Sequence, residues 1–250
     1  MQALRSLFGG TAEPEDEDER LTPYTHSADY PPREIGHDPA ACEAWYHEVF
    51  GSIAPLEADP SATPRENELA RLSASEYIEM RKTGGVSCEE YAMALVKRAT
   101  YYRYMNQWIY TSYDRFEKTV AAAAALDARA AAEGVESIAP LYGLCIPMKG
   151  TAAVVDFPAG SGVGVLSGYT PKQDSELTLL IKERNGVIFG CTNVPEFAAN
   201  WVTANPASGH TRNPYNHAFT VGGSSGGSAS AVASYMCPIA VTEDTGGSTR

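Results

Sequence analysis

The chain has 250 residues, of which 44% are hydrophobic and 20% charged, an ordinary composition for a globular protein. Its formal net charge at pH 7 is −12, and no cluster of lysine and arginine interrupts the acidic balance. A protein that binds the nucleic-acid backbone needs a basic surface, so direct binding to nucleic acid is not expected.

The cysteines and the apolar segments exclude further classes of protein. No Cys-X-X-Cys motif and no His/Cys pair with metal-ligand spacing occurs, so we expect free thiols and no metal site at the five cysteines, which are Cys42, Cys88, Cys145, Cys191 and Cys237. The first ten residues have no apolar core long enough for a signal peptide, and no run approaches the ~18 apolar residues of a membrane span. These features predict a cytoplasmic protein without a membrane span.

Residues 1–64 are rich in proline, aspartate, glutamate and alanine and have little periodicity. We expect a largely irregular N-terminal extension with a solvated acidic run at residues 13–19 and one short amphipathic helix at residues 41–50. The main domain is expected to occupy residues 65–250.

Three helices are predicted before residue 134. Ser73 and Glu76 have the spacing of a capping box, and Ser87 and Glu90 repeat it. Gly134 stands where a helix C-cap belongs. The helices are expected from Ser73 to Gly84, from Ser87 to about Met105 and from about Ser112 to Glu133.

From residue 141 strands and helices alternate, which predicts an α/β core over residues 141–250. The helices are expected over residues 177–183 with Asp174 as the N-cap, from Pro195, and over residues 225–236. Apolar runs predict strands at Leu141–Met148, Val187–Cys191 and Pro238–Val241.

Three motifs in this core form a chemical set. Lys149 ends an apolar run, the sequence Gly-Gly-Ser-Ser-Gly-Gly-Ser occupies residues 222–228, and Asp-Thr-Gly-Gly-Ser-Thr-Arg occupies residues 244–250. Glycines allow backbone N–H groups to converge on one point, and a serine hydroxyl is a nucleophile once its proton is removed. A lysine amine serves as the base only when burial keeps it uncharged.

The order and spacing of these motifs resemble the amidase signature family, with 24 residues between Ser224 and Ser248. The segments 191–198 and 212–215 match the family as well, and the resemblance covers residues 73–250. It implies an α/β/α layered fold with a mixed central sheet flanked by helices. It also implies hydrolysis of the C–N bond of a carboxylic amide in a small-molecule substrate.

The resemblance implies a role for each motif residue. Ser248 would be the nucleophile, Ser224 the bridging serine in a cis peptide, and Lys149 the general base. The oxyanion hole would consist of the backbone N–H groups of Thr245, Gly246, Gly247 and Ser248. Supporting contacts would come from Ser225, Asp244 and Arg250. This chemistry requires no metal and no cofactor, and it leaves a homodimer open.

The sequence departs from the family pattern at a few positions and in length. Gly150 follows the lysine where aspartate is common, Cys191 stands where lysine is frequent, and Thr249 where isoleucine is frequent. Family members continue well past the nucleophile, so the resemblance implies a part of a longer amidase. A serine near a chain end is poorly fixed, so we expect the 250 residues alone to be poorly active.

Three alternatives remain open. The same motifs occur in the amidase subunit of glutamine-dependent tRNA amidotransferases, which would need a partner subunit. A truncated, inactive homologue with a binding or structural role is the second. The third is a Ser-His-Asp site, for which His210 and His217 are the histidines near the motifs.

Overall fold

The computed structural model describes residues 58–134, 139–217 and 219–249. The expectations for the acidic run at residues 13–19, for a helix at residues 41–50 and for Arg250 therefore concern residues outside this description.

Four α-helices occupy the first part of the described chain. Ser73 starts the second of them as predicted, because its side chain accepts the N–H of Glu76 while the Glu76 carboxylate accepts the N–H of Ser73. The hydroxyl of Ser87 caps the third through the N–H of Glu90. The helices are α1 (Pro64–Ala70), α2 (Ala74–Lys82), α3 (Cys88–Tyr101) and α4 (Phe116–Glu133).

Helix α1 begins nine residues before the point at which the sequence was expected to become helical, at Pro64 instead of Ser73. Thr63 and Glu66 form a capping box around its first turn. An N–H at the first helical position has no acceptor within the helix. Proline, which lacks an N–H, therefore loses no hydrogen bond there and is favoured. Pro64 therefore starts a helix.

The parallel strands β1 (Cys145–Lys149) and β2 (Val187–Thr192) are joined through helix α5 (Glu176–Glu183). Every residue of both strands is buried. Their register places Lys149 opposite Thr192. A short antiparallel pair follows, β3 (Ala204–Asn205) with β4 (Gly209–His210). Strand, helix and parallel strand in succession confirm the α/β fold class. In the described residues the central sheet consists of the pair β1–β2.

The ends of α3 and α4 differ from the prediction. Helix α3 ends at Tyr101, before the predicted Met105, and α4 begins at Phe116, after the predicted Ser112. Met105 and Ser112 lie in short 3₁₀ helices instead. Between them the chain docks on β2, where the N–H of Ile109 donates to a strand carbonyl at 2.9 Å. Backbone groups used in this way are not available to continue a helix.

Helix α5 is capped by Ser175, whose hydroxyl accepts the N–H of Thr178, so the predicted cap at Asp174 was wrong. The Asp174 carboxylate instead accepts the N–H of Val155 at 2.8 Å and pairs with Lys182 at 2.6 Å. Both residue types are good N-caps, and the adjacent serine fits the position because the aspartate is held by these other partners.

Aromatic side chains join the helices to β2. Trp108, Phe116 and Phe189 pack with ring centroids 4.9 to 5.6 Å apart, and all three are fully buried. The indole N–H of Trp108 donates to the carbonyl of Phe189 at 2.6 Å, so the one polar group of this buried side chain has a hydrogen-bond acceptor. This cluster fixes the chain before α4 to the strand that lies beside Lys149.

Helix α6 (Gly226–Ala233) is shorter than the predicted range 225–236. The segment Pro238–Val241, predicted to be a strand, has no strand pairing in the described residues. It runs beside β1 with one hydrogen bond, from the N–H of Val241 to the carbonyl of Pro147 at 2.9 Å. Strand pairing does not continue, because Pro147 has no N–H to donate back to this segment. The carbonyl of Val241 accepts the hydroxyl of Ser228 at 2.8 Å instead.

Candidate active site

Lys149 is the last residue of β1, and only 1% of its surface is exposed. An isolated lysine at a strand end is normally solvated, but here the strand passes between β2 and the segment around Val241. The side chain therefore has to find its partners within the protein.

The amine of Lys149 has two acceptors. Its Nζ lies 2.8 Å from the hydroxyl oxygen of Ser224 and 3.1 Å from the main-chain carbonyl of Glu243. Ser224 is itself fully buried. Two of the three sequence-predicted catalytic residues, 75 positions apart, are thus in direct contact.

Burial lowers the pKa of Lys149 below its usual value, because an ammonium loses its hydration in the interior. The carboxylates of Glu243 and Asp244 act in the opposite direction, since negative charge nearby favours the protonated amine. The direction that results is toward a neutral amine, which is the form that accepts a proton.

The backbone around Ser224 has an unusual shape. The peptide bond from Gly223 to Ser224 is cis, and Gly222 has a left-handed φ of 74°. Thr203 braces this turn with its hydroxyl, which donates to the carbonyl of Gly222 at 2.9 Å and accepts the N–H of Gly226 at 3.1 Å. One buried threonine therefore connects the segments before and after the serine pair.

The start of α6 is pressed against the backbone of neighbouring segments. A Cβ placed on Gly227 would lie 2.5 Å from the N of Asn193 and 2.5 Å from the carbonyl oxygen of Gln107. Only glycine fits this approach. One residue on, the hydroxyl of Ser228 lies 2.8 Å from that of Thr192, which ties α6 to the residue opposite Lys149.

Ser248 lies beside the serine pair and is half-exposed. The N–H of Ser225 donates to the carbonyl of Ser248 at 3.1 Å. Within the described part of the chain, no hydrogen bond joins the hydroxyl of Ser248 to that of Ser224. The structure thus brings the backbone of Ser248, the third predicted residue, to the site, where the residue lines a small cleft.

The turn before Ser248 is held by Asp244. Its carboxylate accepts the N–H of Gly247 at 2.7 Å and that of Thr249 at 3.2 Å. Of the four predicted oxyanion-hole donors, Gly247 is therefore engaged, while the N–H groups of Thr245, Gly246 and Ser248 have no acceptor among the described residues.

A cleft of about 100 Å³ opens between the glycine run and the final turn. It is lined by Val221, Gly222, Gly223, Ser225, Gly226, Ala229, Thr242, Ser248 and Thr249. A small acyl group entering it would reach Ser248 at one wall.

The two histidines lie in other settings. His210 is an exposed residue of β4, and the ring of His217 packs edge-on against Tyr104 with centroids 6.0 Å apart. Burial, followed by the charge of Arg212, lowers the pKa of both histidines. The hydroxyl of Ser224 is instead paired with Lys149.

Gly150, where an aspartate is common in the resembling family, has no room for a side chain. A Cβ there would lie 2.5 Å from the carbonyl oxygen of Thr192 and 3.1 Å from the Ile109 side chain. The negative charges near Lys149 come instead from Glu243 and Asp244.

Three residues that contact the site, Thr203, Glu243 and Thr151, were not predicted from the sequence. A lone threonine or glutamate outside a motif has no spacing that signals a role. For Glu243 the one available indication of a role was its position directly before the Asp-Thr-Gly-Gly-Ser motif.

The described residues contain no group of three or more His, Cys, Asp or Glu side chains arranged to hold a metal ion. Among their helices, none combines the length and apolarity needed to cross a bilayer.

Known sequences similar to this chain include amidases and amidotransferase subunits. A sequence model of the family described as Amidase matches residues 93–250. A glutamyl-tRNA(Gln) amidotransferase subunit from Acidothermus cellulolyticus is 37% identical over 185 residues, which are 74% of this chain and 36% of that protein. The same subunit from Mycobacterium leprae is 40% identical over 134 residues, 54% of this chain and 27% of that protein. The chain thus spans about a third or less of the length of these relatives.

Solved structures agree with the sequence comparison. A fatty acid amide hydrolase superposes with a TM-score of 0.67 at 26% identity, covering 75% of this chain and 32% of that one. A bacterial aryl acylamidase of the amidase signature family superposes with a TM-score of 0.62 at 27% identity, covering 68% and 34%.

Proposed function

Because the chain belongs to the amidase (amidase signature) family, we propose that it carries a serine amidase site in which Lys149, Ser224 and Ser248 cleave a carboxylic amide. The observation that supports this most directly is the 2.8 Å contact between the buried amine of Lys149 and the hydroxyl of Ser224. A buried amine beside a buried hydroxyl, with the pKa of the amine lowered, is the arrangement a proton acceptor needs.

In the proposed reaction the neutral amine of Lys149 takes the proton of Ser224 while Ser224 takes that of Ser248. The oxygen of Ser248 then bonds to the amide carbon, and the charge that develops on the carbonyl oxygen is stabilised by backbone N–H groups of the turn 245–248. The proton returns through Ser224 to the amide nitrogen as the C–N bond breaks. Water then hydrolyses the acyl ester on Ser248 by the same proton path.

This reaction requires the hydroxyl of Ser248 to turn toward Ser224. Its carbonyl accepts the N–H of Ser225 at 3.1 Å, and we expect a change of the side-chain rotamer to bring the hydroxyl toward Ser224. Contacts of catalytic groups often tighten only when substrate binds.

The proposal is tested by reacting the chain with a fluorophosphonate and locating the adduct by mass spectrometry. We expect slow labelling confined to Ser248, reduced about 10²-fold or more in Lys149→Ala and in Ser224→Ala, since general bases contribute about that much. Lys118→Ala, which removes an exposed lysine on α4, is the matched control and should be labelled like the parent chain. Undiminished labelling of Lys149→Ala, or an adduct on another residue, would contradict the proposal.

The curated relatives support a second candidate function, that of the amidase subunit of a glutamine-dependent tRNA amidotransferase. The supporting observation is that relatives 37% and 40% identical to this chain are named as a subunit of glutamyl-tRNA(Gln) amidotransferase. In that case the substrate is the side-chain amide of glutamine, the products are glutamate and ammonia, and the chain works with a partner subunit. Glutamine hydrolysis by the chain, together with co-purification of a second subunit, favours this candidate, whereas hydrolysis of aryl or acyl amides without a partner favours the first.

A further inference from the structure

Glu243 contacts Lys149 of the proposed relay and Ser225, the neighbour of the bridging serine. Its main-chain carbonyl accepts the amine of Lys149 at 3.1 Å and the hydroxyl of Ser225 at 3.3 Å. Its side-chain carboxylate accepts the hydroxyl of Thr151 at 2.7 Å. The residue directly before Asp244 is therefore attached at three points to the elements that carry the base and the bridging serine.

The Thr151 contact reaches back to the element that carries the base. Thr151 follows Lys149 by two residues, and the carbonyl of Lys149 accepts the N–H of Ala152 at 2.8 Å, so the chain turns directly after β1. The hydrogen bond between Thr151 and Glu243 closes this turn onto the segment that leads to Ser248. It holds the main chain of Glu243 where its carbonyl receives the amine.

The carboxylate also acts through its charge. Burial disfavours the ammonium form of Lys149, and the charged groups that oppose this effect are Glu243 and Asp244. A base works best when its pKa is near the working pH, since it must take a proton and then release it to the leaving group. A carboxylate near a buried amine limits how far burial lowers the pKa.

Glu243 and Asp244 are engaged in different ways. Asp244 accepts two backbone N–H groups of the turn, from Gly247 and Thr249, so its removal also affects the shape of the turn. The side chain of Glu243 is exposed, and its partner is the hydroxyl of Thr151. Its charge is therefore removable without removing a brace of the turn.

We propose, on the premise of the function proposed above, that Glu243 and Thr151 form a positioning pair for Lys149. Glu243 fixes the amine through its carbonyl and favours the protonated state through its carboxylate, and Thr151 keeps that carboxylate in place. Neither side chain forms a hydrogen bond with Lys149, Ser224 or Ser248. The pair sets the pH range over which the relay works.

The test compares Glu243→Gln with the parent chain by NMR titration of the Lys149 side chain in protein labelled with ¹³C-lysine, assigned through Lys149→Met. Glutamine has the same length and still accepts the hydroxyl of Thr151, so this variant removes the charge and keeps the hydrogen bond. We expect the titration of Lys149 to move to lower pH, and the acid limb of the Ser248 labelling rate to move with it. Thr151→Val should move both in the same direction, and Thr151→Ser should restore the parent values.

The control is Glu79→Gln, which removes an exposed carboxylate of α2 that makes a contact of the same 2.7 Å length with Lys82. It should leave the titration of Lys149 unchanged. A residue that only supports the fold would lower the labelling rate at all pH values without moving the limb, and that result in Glu243→Gln would overturn the inference. A shifted Lys149 titration in a chain whose Ser248 is never labelled would retain the inference and refute the proposed function.

Discussion

The amide N–H of Ser225 lies 3.1 Å from the carbonyl oxygen of Ser248, so the residue next to the bridging serine holds the main chain of the proposed nucleophile. This backbone contact joins the N-terminus of α6 to the final turn. It involves no side chain, and the hydroxyl of Ser248 has no hydrogen-bond partner among the described residues. The turn that carries Ser248 then depends on Asp244 for its shape.

Replacing Asp244 with alanine should impair the chemistry more than the fold. The variant frees the N–H groups of Gly247 and Thr249 on an exposed turn where water replaces the carboxylate, so we expect a loss of about 1 kcal/mol or less in the free energy of unfolding. We expect labelling of Ser248 to fall about tenfold or more, because a misplaced nucleophile reacts poorly. Denaturant unfolding and the labelling rate measure the two effects.

Asp156→Ala, at an exposed aspartate, is the control for loss of a carboxylate. Equal losses of labelling in the two variants would contradict the role given to Asp244.

Thr203→Val should destabilise the loop that carries Ser224. Thr203 is 1% exposed, and valine has nearly its shape but lacks the hydroxyl that bridges Gly222 and Gly226. The buried N–H of Gly226 then has no acceptor, which typically costs about 1–3 kcal/mol. Urea unfolding should show this loss and Thr203→Ser should recover most of it, whereas equal stability of the valine and serine variants would rule out the bridging hydroxyl.

Gly227→Ala should be poorly tolerated. Its Cβ would lie 2.5 Å from two backbone atoms of different segments, and neither segment can move without disturbing β2 or the chain before α4. We expect a loss of about 3 kcal/mol or more, or no folded protein. Gly164→Ala is the control, since a Cβ there meets nothing within 4 Å and its φ is not left-handed. Circular dichroism melting of the two purified variants distinguishes them, and equal melting temperatures would contradict the close approach at Gly227.

The sequence predicted the elements whose signals are local. The capping residues Ser73 and Ser87 start helices α2 and α3, because a cap is satisfied within four residues of chain. The apolar runs that contain β1 and β2 were recognisable from their composition, although β1 begins at Cys145 and not at the predicted Leu141. At Pro238–Val241 the apolar run was equally clear, but strand formation also depends on a partner, and Pro147 lacks an N–H.

The candidate site was only partly predictable. Lys149 and Ser224 are 75 residues apart, so their contact follows from the fold, and the motif resemblance was what placed them together. Thr203 and Glu243 lie outside any motif, and their roles depend on which backbone groups the fold brings near them. A single sequence holds no local signal for such contacts.

The proposed relay requires Lys149 to be a neutral amine when it accepts a proton. The most direct test is an NMR titration of its ¹³Cε resonance in the parent chain. We expect a pKa lower than the value of about 10.4 for an unperturbed lysine, because burial outweighs the carboxylates of Glu243 and Asp244. A titration at or above about 10.4 would mean that the amine is a hydrated or ion-paired cation at neutral pH, and would contradict the proposed relay.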